Sequence, residues 1–253
     1  MQPKLTLVGA GPGDGELITL KGIRALQKAD VVLYDDLANA TLLDFAPAHC
    51  LKMYVGKRAG KPSKAQDEIN TLIVRLATQH GHVVRLKGGD AYVFGRGFEE
   101  RTYALDHGIS CEVIPGVSSS IAVPAAQGIP VTCRGVSESF WVITGTTRSG
   151  GMSKDMELAV QSDATVVVLM GLNKLQDICA LYVRNGKANL PMAVIQNGTR
   201  TGEQCVVGQV WEIPSLVAAQ GVGAPAVIVL GEVVALHKAY LPAYLQSLQL
   251  ACI

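Results

Sequence analysis

The sequence predicts an α/β protein of two domains, with a mainly parallel sheet in the N-terminal domain and a mixed sheet in the C-terminal domain. Apolar runs rich in β-branched residues, such as TVVVLM at 165–170, alternate with helical patterns, which is typical of buried strands joined by crossover helices. The stretch GIPVTCRGVSE at 128–138 has Gly, Pro and polar residues without periodicity, and a new strand follows it. We therefore predict domains at 1–135 and 136–253.

The individual elements follow from the same patterns. In the first domain, apolar runs that contain β-branched residues predict strands at 4–8, 31–34, 82–87 and 111–114. The clearest helix begins at Ser63, which forms a capping box with Gln66; one apolar face then repeats through Ile69, Leu72, Ile73 and Leu76. In the second domain we predict strands at 139–144, 165–170, 192–196, 205–212 and 226–231. A short helix-like segment separates the last two strands, which favours a mixed sheet.

Composition narrows the class of protein. Hydrophobic residues make up 49% of the 253 residues, yet no apolar run approaches the ~20 residues that span a bilayer. The N-terminal stretch predicts the first strand and not a signal peptide. The six cysteines contain no C-x-x-C pair and the five histidines no H-x-x-x-H spacing, so we expect reduced thiols, no metal and a cytoplasmic protein. A net charge of +1 argues against a nucleic-acid binder.

The basic residues are unevenly distributed. Five of them occur between 52 and 64 with no intervening acid: Lys52, Lys57, Arg58, Lys61 and Lys64. Such a run is typical of a solvated loop, but it would also suit the mouth of a site for an anionic ligand. Both interpretations stay open on this pattern alone.

The stretch LVGAGPGD at 7–14 is similar to a dinucleotide-binding turn but departs from it. The fingerprint G-x-G-x-x-G requires a third glycine where this chain has Asp14, and Pro12 removes one backbone N–H from the loop. Asp35 ends the second strand, where a ribose-binding acid would lie. The residues therefore leave a structural turn, an NAD site and a site for another ligand open.

Two further loops follow predicted strands. The stretch VVRLKGGD places Gly88, Gly89 and Asp90 directly after a strand, without the spacing of a Walker loop. The stretch VIPGVSSS offers Ser118 and Ser119 at a helix start, either as caps or as ligand contacts. Loops at the carboxyl ends of parallel strands lie at one edge of the sheet, so the three loops predict a ligand crevice.

Together these stretches resemble the tetrapyrrole methylase family. The similarity is carried by LVGAGPGDGELITLKGIRALQKADVVLYDDL, YVGKRAG, LKGGDAYVFGRGFEE and VIPGVSSSIAVPAAQGIPVTCRG, and it continues through VVVLMGL, AVIQNGT and APAVIVLGEVV. The resemblance implies a homodimer whose two-domain subunits bind S-adenosylmethionine in the cleft between domains. The motifs are most similar to those of members that methylate uroporphyrinogen III at C-2 and C-7, giving precorrin-2 through precorrin-1 for sirohaem, haem d1 or cobalamin synthesis.

The resemblance also implies roles for individual residues. Donor binding is implied for Pro12, Gly88, Gly89, Asp90, Val93, Ser118, Ser119, Met170 and Gly198. Substrate contacts are implied for Arg96, Glu99, Arg134 and Met170. Asp35 matches the position of the proton acceptor and Lys57 that of the proton donor. The chain departs from the family pattern at Ala91, where proline is usual, at the pair Ser118-Ser119, where Thr-Ala is common, and at Cys133, where histidine is frequent.

The chemistry agrees with this interpretation. The eight carboxylates of uroporphyrinogen suit Arg96, Arg134 and the basic run, because arginine offers paired donors to each carboxylate. A sulfonium methyl donor needs positioning and no metal. The chain length leaves no room for a fused dehydrogenase and chelatase module, so we expect methylation only. The alternatives are a family member acting on a later corrin precursor, a protein or ribosomal RNA; an NAD-dependent oxidoreductase; and a noncatalytic nucleotide-binding module.

Overall fold

The computed structural model describes residues 2–56 and 66–240. The chain divides into two compact units, Met1–Ser119 and Ser120–Ile253. Each unit contains a five-stranded sheet, so the predicted α/β class is confirmed. The domain boundary predicted between residues 135 and 136 lies within the second unit and stays a prediction for the family domains.

The first unit is built on an entirely parallel sheet in the order β3-β2-β4-β1-β5. Its strands are β1 (Lys4–Gly9), β2 (Val31–Tyr34), β3 (Leu51–Tyr54), β4 (His82–Lys87) and β5 (Ser110–Ile114). Its helices are α1 (Leu20–Leu26), α2 (Gln66–His80) and α3 (Gly97–Asp106). The sequence did not predict β3, because this edge strand is half-exposed and lacks a β-branched run. Lys52 of the basic run therefore lies in a strand.

Alternation along the strands gives this sheet two buried faces. On one face Val83 and its neighbours pack against α2, whose apolar stripe is buried as predicted at Ile69, Leu72, Ile73 and Leu76. On the other face Val84 and Leu86 pack with residues of α1. Both faces are covered, which is why the central strands contain continuous apolar runs.

The second unit has a mixed sheet in the order β6-β7-β10-β8-β9. Its strands are β6 (Phe140–Thr144), β7 (Thr165–Leu169), β8 (Pro191–Gln196), β9 (Gln204–Gln209) and β10 (Ala226–Leu230). Its helices are α4 (Ser119–Ala126), which begins at the last residue of the first unit, α5 (Asp155–Ala159), α6 (Leu175–Arg184) and α7 (Ile213–Ala219). The segment α7 is the helix predicted between the last two strands.

The mixed character of the second sheet comes from two strands, β9 and β10, because β9 is antiparallel to β8 and β10 is antiparallel to both of its neighbours. β10 is antiparallel to both β7 and β8, which flank it, while β6 and β7 are parallel. β7 and β8 therefore run in the same direction, and their carboxyl ends lie at the same edge of the sheet. Among residues 2–56 and 66–240, no helix is long and apolar enough to cross a membrane.

Candidate active site

The loops that follow β1, β4 and β5 meet backbone to backbone at the carboxyl edge of the parallel sheet. The amide of Gly11 donates to the carbonyl oxygen of Gly89 at 3.2 Å, and the amide of Gly89 donates to that of Gly11 at 2.6 Å. A Cβ atom on Gly9 would lie 2.8 Å from the Gly89 carbonyl oxygen and nearer still to the backbone of Gly116. Close approach of the three loops therefore requires glycine at Gly9 and at Gly116.

Asp90 links the β4 loop to the β5 loop by a hydrogen bond. Its Oδ2 accepts the amide of Gly116 at 2.9 Å, and its Oδ1 accepts the amide of Tyr92 at 2.8 Å. The second bond closes a local turn, whereas the first reaches from the β4 loop to the β5 loop. A carboxylate has about four lone-pair sites, so Asp90 retains acceptor capacity for a ligand.

The loop after β2 joins the same edge. A Cβ atom on Gly88 would lie 2.7 Å from the carbonyl oxygen of Leu37, and Asn39 donates from Nδ2 to the carbonyl of Gly13 at 2.8 Å. Asp35 begins this loop, and its Oδ1 accepts the amide of Leu37 at 3.1 Å. Asp35 thus begins a loop that contacts the glycine loops.

Asp35 is hydrogen-bonded to a buried network of charged side chains. Nη2 of Arg85 donates to Oδ2 of Asp35 at 2.8 Å, and Nε of Arg85 lies 3.4 Å from Oε1 of Glu100. Nζ of Lys87 donates to the same Glu100 oxygen at 2.9 Å. The side chains of Arg85, Lys87 and Glu100 are almost fully buried, while that of Asp35 is 24% exposed. Burial lowers the pKa of Lys87, as does the neighbouring Arg85 charge, and Glu100 opposes both effects.

Arg96 and Glu99 form an exposed ion pair at the start of α3. The guanidinium binds both carboxylate oxygens, at 2.9 Å through Nε and at 2.6 Å through Nη2. This pairing raises the pKa of Arg96. Phe94 and Arg96 have positive φ angles of 53° and 57°, which residues with side chains adopt rarely and which concentrate at functional sites. Two of the four predicted substrate contacts are therefore bound to each other.

The remaining predicted donor positions of the first unit lie in the same loops. Pro12 is in the β1 loop, half-buried, and Val93 follows Asp90 in the β4 loop. Ser118 and Ser119 follow the β5 loop, where Ser119 begins α4. Lys57 lies outside the described residues, as do Arg58, Lys61, Lys64 and the predicted cap Ser63.

In the second unit, Met170 and Gly198 follow β7 and β8 and so lie at one edge of the mixed sheet. Met170 is exposed and has a positive φ of 55°, and its carbonyl accepts the hydroxyl of Thr146 at 3.0 Å. A Cβ atom on Gly198 would lie 2.6 Å from a methyl group of Val123 in α4. Arg134, the remaining predicted substrate contact, is exposed.

The chain was compared with known proteins. Residues 4–214 match the family model of Tetrapyrrole (Corrin/Porphyrin) Methylases. The chain belongs to the tetrapyrrole methylase family. The family and the two-domain fold expected from the sequence motifs are thereby confirmed.

Several tetrapyrrole methylases are similar to the chain over nearly their whole length. A uroporphyrinogen-III C-methyltransferase of Methanocaldococcus jannaschii is 45% identical over 236 residues, which cover 92% of this chain and 98% of that protein.

A solved structure and a longer protein extend the comparison. A uroporphyrin-III C-methyl transferase of Thermus thermophilus, crystallised with S-adenyl homocysteine, is 40% identical and has a TM-score of 0.77, with 91% of this chain and 98% of that chain covered. A siroheme synthase of Photorhabdus laumondii is 44% identical over 238 residues, which are 94% of this chain and 50% of that protein. The chain therefore spans half the length of that siroheme synthase.

The motifs did not identify the buried network. Arg85, Lys87 and Glu100 were not among the predicted site residues. A signal was present, because VVRLK places two cations at alternating positions of a predicted buried strand, so both point to the same face. Buried cations require acidic partners, but the sequence alone does not show which of the acidic residues supplies the counter-charge.

Proposed function

We propose that the protein transfers methyl groups from S-adenosylmethionine to C-2 and C-7 of uroporphyrinogen III, giving precorrin-2 through precorrin-1. The observation that carries this proposal is the similarity to a relative named for this reaction, of which 98% of the length is covered. The product would enter sirohaem, cobalamin or haem d1 synthesis. A relative crystallised with S-adenyl homocysteine, the demethylated product of the donor, supports S-adenosylmethionine as the methyl source.

The glycine loops of the first unit fit such a donor. Within the described residues, a Cβ atom on Gly89 would have only the amide nitrogen of Ser119 within 4 Å, at 3.7 Å. This side of the loop backbone is therefore open to a ligand, whereas Gly9 and Gly116 are closed by their own packing. Bound S-adenosylmethionine supplies an activated methyl group on its sulfonium. We assign its contacts to Pro12, Gly88, Gly89, Asp90, Val93, Ser118, Ser119, Met170 and Gly198.

Asp35 suits the role of proton acceptor. Methylation of a pyrrole carbon displaces a proton, and a carboxylate held at the edge of the glycine loops can receive it. The side chain of Asp35 is 24% exposed, and its two oxygens are oriented by Arg85 and by the amide of Leu37. We assign the proton donor to Lys57 on the family resemblance.

Substrate recognition is assigned to Arg96, Glu99, Arg134 and Met170. The two arginines are exposed, so their guanidinium groups can reach the carboxylates at the rim of uroporphyrinogen. We further propose a cytoplasmic homodimer, on the family resemblance. Light scattering of the purified protein tests the dimer, and a monomer at all concentrations would contradict it.

The reaction is tested with anaerobically prepared uroporphyrinogen III and isotope-labelled donor. We expect a mass gain of two methyl groups, a transient singly methylated species and no saturable binding of NAD. Asp35→Asn and Lys57→Ala should lower kcat while leaving the affinity for S-adenosylhomocysteine unchanged, because both residues act on protons and not on the donor. Methylation of a later corrin precursor, with no mass gain on uroporphyrinogen III, would assign the chain to another branch of the family.

A further inference from the structure

A three-way contact at one oxygen of Glu100 organises the buried network of the first unit. Oε1 of Glu100 lies 3.4 Å from Nε of Arg85, 2.9 Å from Nζ of Lys87 and 3.1 Å from Nε2 of Gln66. Within the described residues, the other oxygen of Glu100 has no hydrogen-bond partner. Glu100 is 1% exposed, so its charge is compensated inside the protein and not by bulk water.

Arg85 connects this carboxylate to Asp35. Besides its contacts with the two acids, the guanidinium donates from Nη1 to the carbonyl of Leu86 at 2.9 Å and lies 3.5 Å from that of Leu33. Its nitrogens therefore have acceptors on three sides, in a side chain that is 4% exposed. Glu100 occupies the Nε side, which leaves Nη2 for Asp35. The guanidinium is planar and rigid, so fixing one side determines the direction of the other.

The same contacts balance the charge. Arg85 and Lys87 are two buried cations, and Asp35 and Glu100 are the two carboxylates that they contact. Without Glu100, both cations would have Asp35 as their remaining acidic neighbour in the network. The guanidinium would then turn its Nε and Nη2 edge to Asp35 and bind the carboxylate through two bonds, which are stronger and differently directed.

We propose that Glu100 is a positioning residue that fixes Arg85 and, through Arg85, the orientation in which Asp35 accepts a proton. This inference rests on the proposed function, in which Asp35 is the proton acceptor. Glu100 itself does not contact the substrate or the donor, because it lies on the buried face of α3 and is 1% exposed. Its effect belongs to the proton-transfer step and not to binding.

The test uses the full-length protein with Glu100→Gln, with the double variant Lys87→Met/Glu100→Gln and with Glu68→Gln. The double variant removes one cation together with the carboxylate, so the network stays neutral. It is used for the measurements if Glu100→Gln alone does not fold. Glu68 is exposed on α2 and is the matched control. For each variant we measure kcat, the KM for uroporphyrinogen III and the affinity for S-adenosylhomocysteine. The 15Nε–1H resonance of Arg85 is recorded on the protein without substrate and assigned by its loss in Arg85→Lys.

We expect kcat to fall about tenfold in both Glu100 variants, since misplacing a reacting group by about 1 Å costs up to ~100-fold. The KM and the donor-product affinity should stay unchanged, and Glu68→Gln should match the wild type. The Arg85 resonance should move in Glu100→Gln and in Asp35→Asn. Wild-type kcat in the double variant, or an unmoved Arg85 resonance, would overturn the inference. A wild-type protein that methylates no uroporphyrinogen III would instead refute the proposed function, and the resonance would then decide only whether Glu100 fixes Arg85.

Discussion

Replacing Asp90 with Ala tests whether one carboxylate holds the glycine loops in place. The change removes two acceptors, one for the amide of Gly116 at 2.9 Å and one for the amide of Tyr92 at 2.8 Å. The bond to Gly116 is partly buried and charge-assisted, so we assign it about 1.5 kcal/mol; water can replace the exposed bond to Tyr92, which we assign about 0.5 kcal/mol. Asp90→Ala should therefore lower the local free energy of opening by about 2 kcal/mol.

Amide hydrogen exchange gives the local measurement. Loss of about 1.5 kcal/mol at the Gly116 amide corresponds to a roughly tenfold increase in its exchange rate, since 1.4 kcal/mol is tenfold. Affinity for S-adenosylhomocysteine, measured by calorimetry, should fall with it, because the loops assigned to the donor lose their mutual anchor. Asp44→Ala removes an exposed carboxylate of the same unit and serves as the control. An unchanged Gly116 exchange rate in Asp90→Ala would refute the reasoning.

Two further predictions concern ion pairs at the surface of the first unit. Glu99→Gln should raise the KM for uroporphyrinogen III about two- to fivefold, because the substrate loses a contact assigned to Glu99 and Arg96 loses an exposed pair worth up to ~1 kcal/mol; a lowered KM would mean that Glu99 only competes with the substrate for Arg96. The second prediction concerns Glu112, whose pKa falls to about 2 because Lys21 and then Lys4 donate hydrogen bonds to it. Since this folded-state pKa lies below the ordinary value of 4.5, the stabilisation is fully present above pH 4.5 and is lost as the pH falls towards 2. The side chain is 34% exposed, so we expect only about 0.5–1 kcal/mol between wild type and Glu112→Gln in urea unfolding at pH 7. A difference that persists at pH 2 would contradict this assignment.

The strands that the sequence predicts well are those buried on both faces. The predicted ranges 31–34 and 82–87 coincide with β2 and β4, two of the three interior strands of the first sheet, because runs that contain β-branched residues mark such positions. The strand β3 was missed because its four residues, LKMY, are exposed or half-exposed and carry no such signal. The order of strands in the second sheet was also beyond the pattern, since β10 is inserted between β7 and β8 by pairing across long sequence separations.

The glycine loops of the candidate site were predictable for a local reason. Close backbone approach excludes any side chain at Gly9 and Gly116. The glycines within each loop are therefore enough to indicate that its backbone packs closely against another loop. The pairing of Arg96 with Glu99 was not predicted, although the two residues are three positions apart at the start of a helix, where such pairs can form. The family resemblance implies substrate contacts for both residues, and the structure shows that their side chains bind each other.

The orientation of Asp35 depends on residues that the sequence keeps apart. Arg85 is 50 residues from Asp35 along the chain and 15 from Glu100, and the three lie on β4, the β2 loop and α3. A motif can mark Asp35 as the reactive group, because its position after a strand is a local property. It cannot give the direction of the carboxylate, which depends on the packing of α3 against the sheet. The donors of a buried arginine need acceptors inside the protein. Because Glu100 and Asp35 both accept from the guanidinium of Arg85, Glu100 also determines the direction from which Arg85 binds Asp35. Substitutions at Glu100 should therefore alter turnover even though every predicted site residue is retained.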